Sequence, residues 1–281
     1  MACAKITFWG VRGSIATPGR STARVGGNTA CLEIKTGKAL IICDAGTGIR
    51  PLGLSLARRF GEKPIAAHLL LSHLHWDHYI GLPFFKPLYS KKNRFTIAGP
   101  KGGRLGFGAA LSRVVNPPFF PVPFSMIPAG LKFRTLPEGC FRIGDVEVNA
   151  KALNHPGGSF GWRFSFKDGR SLVYVTDNEP VKGPELRRTI EWIDGADILI
   201  HDAQYSPETY PCHRGWGHSP FTYPIELAKE AGVKKLFLFH FDPGDDDRHL
   251  GRVLKKARAI ARRSQPALAV ELAKEGLSFT L

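Results

Sequence analysis

The sequence is short of the features that would mark several common classes of protein. Its five cysteines, Cys3, Cys31, Cys43, Cys140 and Cys212, form no close-spaced pair. An odd and scattered set excludes a disulfide scaffold. Cys43 closes an apolar run and reads as a small core residue. Cys212, beside His213 in a loop bounded by Pro211 and Gly215, reads as an ordinary thiol. No apolar run is long enough to cross a bilayer, and MACAKITFWG enters a strand-like run without a basic segment and apolar signal region. The expectation is a soluble cytoplasmic protein with no membrane partner. Gly26-Gly27, Gly46 and Gly48 satisfy neither the dinucleotide pattern nor GxxxxGK[ST], so they are read as turns lining a pocket edge. Acidic side chains are also scarce, 24 against 39 basic ones, for a net charge of +15. That balance attracts polyanions and makes RNA a candidate partner, although a solvated basic surface has the same composition.

What is present concentrates in residues 69–81, LLLSHLHWDHYIG. An apolar run read as a buried strand over 66–71 is followed by His73, His75, Asp77 and His78, three imidazoles and a carboxylate within six residues. Neutral imidazoles and ionised carboxylates at this spacing suit zinc or another borderline divalent metal. The period of two along a strand aims His73 and His75 the same way, so residues 77 and 78 must turn toward a neighbouring metal position.

The rest of the chain repeats one pattern, an apolar strand opening into a turn that carries a polar group. Strands are expected over 5–9, 29–34, 39–43, 95–98, 131–136, 146–153, 160–166, 172–175, 198–200 and 235–239. The corresponding turns carry Asp44, His155, Asp177, His201-Asp202 and His240. Helical spacing covers 49–60, 104–115, 184–192, 223–231 and a basic-faced segment around 250–261. Layered sheets with outer helices would collect those turns at one edge. Asp44 has two uses open to it, orienting a metal-ligand imidazole or capping a turn. His68 reads as a core residue, His213 as a loop residue able to touch substrate, and His249 as solvent-facing. The proline-bounded aromatics of 117–124 can form a lid, a substrate wall, a subunit contact or a packed loop. A homodimer through Phe119, Phe120 and Phe124 is therefore a further expectation.

His73-Leu74-His75-Trp76-Asp77-His78 resembles the HxHxDH signature of the metallo-β-lactamase fold superfamily, with no departure at a liganding position. Residues 152–158, 174–178, 200–203, 218–219 and 238–240 extend the resemblance to the RNase Z and PhnP-like cyclic phosphodiesterase branch. It implies an α/β fold, a four-layer αββα sandwich, as one domain over 1–281 with similar halves of about 1–150 and 151–281. It further implies two divalent ions, zinc or else manganese or iron. His73, His75 and His155 would hold one, Asp77, His78 and His240 the other, with Asp177 bridging. The implied catalytic residues are Asp77, His218 and Asp202. His218-Ser219-Pro220 departs from the family's HST by Pro for Thr. His201-Asp202-Ala203-Gln204 departs from HEAT by the shorter Asp, which leaves Asp202 between supporting His218 and capping a loop; His201 is an orienting or packing residue. Only residues 156–176 lie where tRNA-processing relatives carry an RNA-binding arm. The function implied is a phosphodiesterase cleaving a cyclic nucleotide, cyclic phosphate or small phosphodiester with a metal-activated hydroxide. RNase Z-like tRNA 3′ processing and a catalytically weak RNA-binding or regulatory protein are the alternatives.

Overall fold

The pattern of strands and turns resolves into two seven-stranded sheets in a computed structural model that describes residues 4–264 and 267–281; Cys3 lies outside the described residues. The first sheet takes β1 (Lys5–Gly10), β2 (Cys31–Lys35), β3 (Leu40–Cys43), then helix α1 (Ile49–Phe60), β4 (Ala66–Leu70), the short helix α2 (Trp76–Tyr79), β5 (Arg94–Gly99), α3 (Phe107–Val114) and β6 (Gly130–Thr135). The second takes β7 (Gly139–Ile143), β8 (Val146–Leu153), β9 (Ser159–Ser165), β10 (Ser171–Val175), α4 (Gly183–Ile193), β11 (Ile198–Asp202), α5 (Thr222–Glu230), β12 (Lys235–Phe239), α6 (Asp247–Ser264) and β13 (Ala269–Leu272). The last strand, β14 (Ser278–Thr280), returns to the first sheet beside β1.

Sheet order is β14-β1-β2-β3-β4-β5-β6 in one and β13-β12-β11-β10-β9-β8-β7 in the other. Each half is antiparallel on one side and parallel on the other, with β3 to β6 and β10 to β13 forming the parallel parts. Parallel strands covered on both faces need apolar side chains throughout, and β3, β10 and β11 are buried at every position. The period of two then divides β3 between two cores. Ile41 and Cys43 face the inter-sheet core, with Phe8, Trp162, Tyr174 and Phe237, whereas Leu40 and Ile42 pack with Leu52, Leu56, Phe85 and Phe95 under α1. Two mixed sheets flanked by helices make the expected αββα sandwich. The crossing between sheets falls at residues 136–138, earlier than a boundary at 150, because β7 and β8 pair as a hairpin within the second sheet.

Helix spacing follows the same burial rule. Ile49, Leu52, Gly53 and Leu56 form the buried stripe of α1, which stops at Gly61, whose positive φ of 55° favours glycine. Along α6, Leu250, Val253, Ala257 and Ala261 face inward. Arg258 leaves the exposed basic face expected for it and bonds the Val270 carbonyl at 2.9 Å and Glu271 at 2.7 Å. His68 is half-buried in a shallow cleft with Thr96 and Lys132 rather than enclosed in a core. Three strands escape the hydrophobic pattern. β7 is largely exposed, and β13 and β14 have four and three residues. Among the described residues no helix is long and apolar enough to cross a membrane.

Candidate metal centre

In open α/β sheets, ligands gather beyond the carboxyl ends of parallel strands. Here β3 leads to Asp44, β4 to His73, β10 to Asp177 and β12 to His240, while β11 carries Asp202 as its last residue. The antiparallel β8 supplies His155 from the far side. Asp44, Asp177 and His240 take left-handed backbone angles, φ 61°, 48° and 60°, as does Ser14 at 62°. Non-glycine residues rarely adopt this region, and these four meet at one cleft. The strand ends turn sharply enough to aim each side chain into the gap between the sheets.

The first ligand group contains His73, His75, His155 and Asp177, and the second Asp77, His78 and His240; within each, the donor atoms lie within 4.8 Å of one another. His155 Nε2 and His75 Nδ1 are 3.0 Å apart, and His78 Nε2 and His240 Nε2 are 3.3 Å apart. Asp77 Oδ2 stands 3.1 Å from both nitrogens of the latter pair. Asp177 is a member of the first group and also reaches the second. Its Oδ2 lies 3.5 Å from His73 Nε2 and 3.6 Å from His155 Nε2, and its Oδ1 lies 3.1 Å from both His78 Nε2 and His240 Nε2.

These spacings fit a metal better than a hydrogen-bond network. Ligand atoms bound at about 2.0–2.1 Å around a tetrahedral ion are separated by about 3.3 Å, which matches the nitrogen–nitrogen and nitrogen–oxygen distances. His73 Nε2 is buried without a hydrogen-bond partner, an orphan that a cation would satisfy. Burial first, and neighbouring His78 second, pull the His73 pKa well below its ordinary value. Burial likewise lowers His75 and His155, leaving neutral imidazoles with lone pairs to donate. Burial opposes ionisation of Asp177, yet His240, His78 and His73 hold its carboxyl well below the usual range. Asp44, Asp77, Asp177 and Asp202 are all buried, and among the described residues their recorded ion pairs are with imidazoles alone. Four enclosed carboxylates without lysine or arginine call for added positive charge. The donor set thus suits one or two divalent ions.

A ring of outer contacts fixes the imidazoles. His78 Nδ1 faces Asp44 Oδ2 at 3.0 Å, and the same oxygen accepts from Tyr174 Oη at 2.7 Å. Ser72 Oγ lies 3.1 Å from His73 Nδ1, His155 Nδ1 lies 3.0 Å from the Gly217 carbonyl, and His240 Nδ1 lies 3.1 Å from Gln204 Oε1. A side chain at Gly217 would strike the His155 ring, and its φ of 86° also favours glycine. The Ser14 amide donates to Asp77 Oδ2 at 2.8 Å. Of Asp44's two open uses, the imidazole contact is the one present, together with a 2.7 Å bond from the Ser72 amide.

His218 falls in a third such set, with Asp177, Asp202 and His240. Its Nδ1 is 2.7 Å from Asp202 Oδ2 and 4.0 Å from Asp177 Oδ2, and its ring stacks on His240 at 5.2 Å. Burial alone would lower its pKa, but the charge and hydrogen bond of Asp202, with Asp177 and Asp77 behind, push it up to about 9. Asp202 also accepts the amides of Gln204 and Ser219 at 3.0 and 3.2 Å, so it both supports His218 and caps the turn. His201 and Asp202 are the last two residues of β11 rather than part of the loop after 200, and alternation sends them to opposite faces. His201 bonds the Asp202 carbonyl at 2.7 Å and packs by Tyr223 away from the ligand groups. His213 stacks on Tyr205 at 4.4 Å, in a cleft separate from the one lined by His75, Asp177 and His218. His249 lines that separate cleft, 3.5 Å from Asp245, rather than simply facing solvent.

Sequence reading missed Ser72, Tyr174, Gln204 and Glu179. Glu179 accepts the Gly215 amide at 2.8 Å, the Gly217 amide at 3.1 Å and the Tyr210 hydroxyl at 2.9 Å. It thereby holds the loop whose Gly217 carbonyl orients His155. The only signal was its position, two residues after Asp177 at a strand end.

Two mixed sheets with this ligand-bearing edge define a metal-dependent hydrolase of the αββα class. Residues 40–241 match the family model described as the beta-lactamase superfamily domain, and the chain belongs to that superfamily. Sequence relatives include a Ribonuclease Z of Thermoplasma volcanium, 24% identical over 85% of this chain and 87% of the relative. A Ribonuclease BN of Salmonella paratyphi B is 23% identical over 91% and 95%. Among solved structures, unliganded yeast PDE1 superposes with a TM-score of 0.73 at 16% identity, covering all of both chains. A diphosphatase from the PhnP family gives 0.69 at 19% identity, covering 99% of this chain and 98% of its own.

Proposed function

We propose that the protein is a two-metal phosphodiesterase acting on a cyclic nucleotide, cyclic phosphate or other small phosphodiester. The observation carrying this reading is Asp177, which turns one oxygen toward each ligand group, with the His218–Asp202 pair beside it. His73, His75 and His155 would hold one ion, and Asp77, His78 and His240 the other, with Asp177 shared. When bound, such ions supply Lewis-acid polarisation of a phosphoryl oxygen and a water acidic enough to ionise near neutral pH.

The chain's own residues do the rest. The outer ring holds each imidazole with its metal-facing nitrogen fixed, so little rearrangement accompanies reaction. His218, protonated through its bond to Asp202, donates a hydrogen bond or a proton to the departing oxygen. Asp202 orients that ring and balances its charge. A compact substrate is favoured by β9 and β10, which join through a tight turn at Gly169 where an RNA-binding arm would otherwise emerge.

The test measures bound metal and hydrolysis together on nucleoside cyclic phosphates and model diesters. Metal-dependent turnover is expected, and a fully loaded protein inert across the panel would reject the reading. A second reading, tRNA 3′ processing, is favoured by relatives named Ribonuclease Z spanning most of the chain. It requires cleavage of precursor tRNA at one defined position at salt concentrations that suppress diffuse backbone binding.

A further inference from the structure

The helical stretch beginning at Trp76 divides its side chains between two clefts. Asp77 and His78 turn inward to the ligand groups, whereas Trp76, Tyr79, Ile80 and Pro83 recur at intervals of three, four and seven and share another face. That face walls a cleft of about 570 Å³, closed on its far side by Phe119 and Phe120 from the proline-bounded segment. Its lining carries no charged side chain. Phe84 and Phe120 meet edge to face at 5.8 Å, while Trp76, Phe84 and Phe119 stand 72%, 57% and 77% exposed. Concentrated aromatic exposure on a strongly charged protein marks a surface that something covers.

Trp76 lines both this cleft and the metal cleft, and it lies between His75 and Asp77 in the chain. The two clefts therefore border the same indole, with ligand groups on one side and aromatic faces on the other. We propose that this cleft is the subsite for the nucleobase of the substrate, stacked on Trp76 and Phe119 while its phosphodiester faces Asp177. Aromatic faces select flat rings over aliphatic chains. The lining offers almost no side-chain groups to read a base edge, so the subsite accepts purines and pyrimidines alike and ranks them by stacking area. The choice of substrate rests on the phosphodiesterase reading; the binding of a base does not.

Calorimetric titration of the metal-loaded chain with adenosine 5′-monophosphate and ribose 5-phosphate separates the base from the phosphate. The nucleotide should bind about tenfold or more tighter, the range of one stacked base. Trp76→Ala and Phe119→Ala should each carry that ratio toward one, with metal content measured alongside. Phe119→Ala decides the matter if the change beside the ligands disturbs metal binding. Equal affinities in the parent protein, or a ratio unchanged in Phe119→Ala, would overturn the subsite. So would a dimer in sedimentation that Phe119→Ala dissociates, which assigns the face to a second copy. Hydrolysis of nucleoside and base-free diesters with equal kcat/KM removes the subsite and leaves the phosphodiesterase; tighter binding of the nucleotide than of ribose 5-phosphate with no hydrolysis of any diester removes the phosphodiesterase and leaves the subsite.

Discussion

At the scale of single residues, the proposed chemistry assigns some groups to hold charge and others to move it. Asp177 turns Oδ2 toward His73 and His155 and Oδ1 toward His78 and His240, so Asp177→Asn should lower bound metal per chain, read by elemental analysis, and cut kcat/KM by more than about 100-fold. His218 shares a set with Asp177, Asp202 and His240, but its Nδ1 is engaged by Asp202 at 2.7 Å and its ring stacks on His240. His218→Ala should keep the metals while kcat falls about 10²–10⁴-fold; unchanged turnover would remove His218 from the chemistry. The ligands were legible to different degrees. His73 to His78 announce themselves because one turn holds four donors. His155, Asp177 and His240 lie far apart in the chain, and only the resemblance to a known family grouped them. Tyr174 and Gln204 were illegible because their partners come from the other sheet or a distant strand end, which local pattern does not encode, and Ser72 because a hydroxyl beside His73 has no signature of its own.

Among the elements, the loop running from Tyr205 to His218 depends most on one side chain. Glu179 gathers the amides of Gly215 and Gly217, and Gly217 in turn aims His155. Glu179→Ala should speed amide exchange over residues 210–217, leave the global unfolding midpoint within a degree or two, and lower turnover about tenfold. Equal exchange in parent and variant would show that the loop is held by other contacts. Buried strands such as β10 and β12 were visible as apolar runs. The exposed β7 and the very short β13 and β14 lack that signature, since pairing with a neighbour rather than hydrophobic alternation makes them strands. Helix α1 was legible to the residue because its buried stripe and its stop at Gly61 both follow local rules.

For the whole molecule, the ligands come from both sheets, so cations bind the folded arrangement and not the open chain. Chelation should lower the unfolding temperature, and restoring zinc or manganese should raise it in a concentration-dependent way. A second stability effect sits away from the centre. Burial, opposed by His249 and reinforced by Asp242, pushes Asp245 up to about 6, above the usual carboxylate value near 3.9. Between those values the folded chain binds the extra proton, so stability falls as pH rises through the window and the loss is complete above it. Asp245→Asn should therefore unfold at a higher temperature than the parent at pH 8, with the difference vanishing near pH 4. Arg12, which bonds the Asp245 carbonyl at 2.6 Å, is retained in both proteins.

Ser14, Asp44, Asp177 and His240 occupy backbone angles where glycine is at ease and other residues sit about 1 kcal/mol uphill. Sequences refined for durability alone would drift toward glycine at those four turns. At three of them the drift would erase a carboxylate or imidazole from the cleft. Toughness and chemistry compete for the same peptide units, and efforts to harden this protein should start on the outer helices instead.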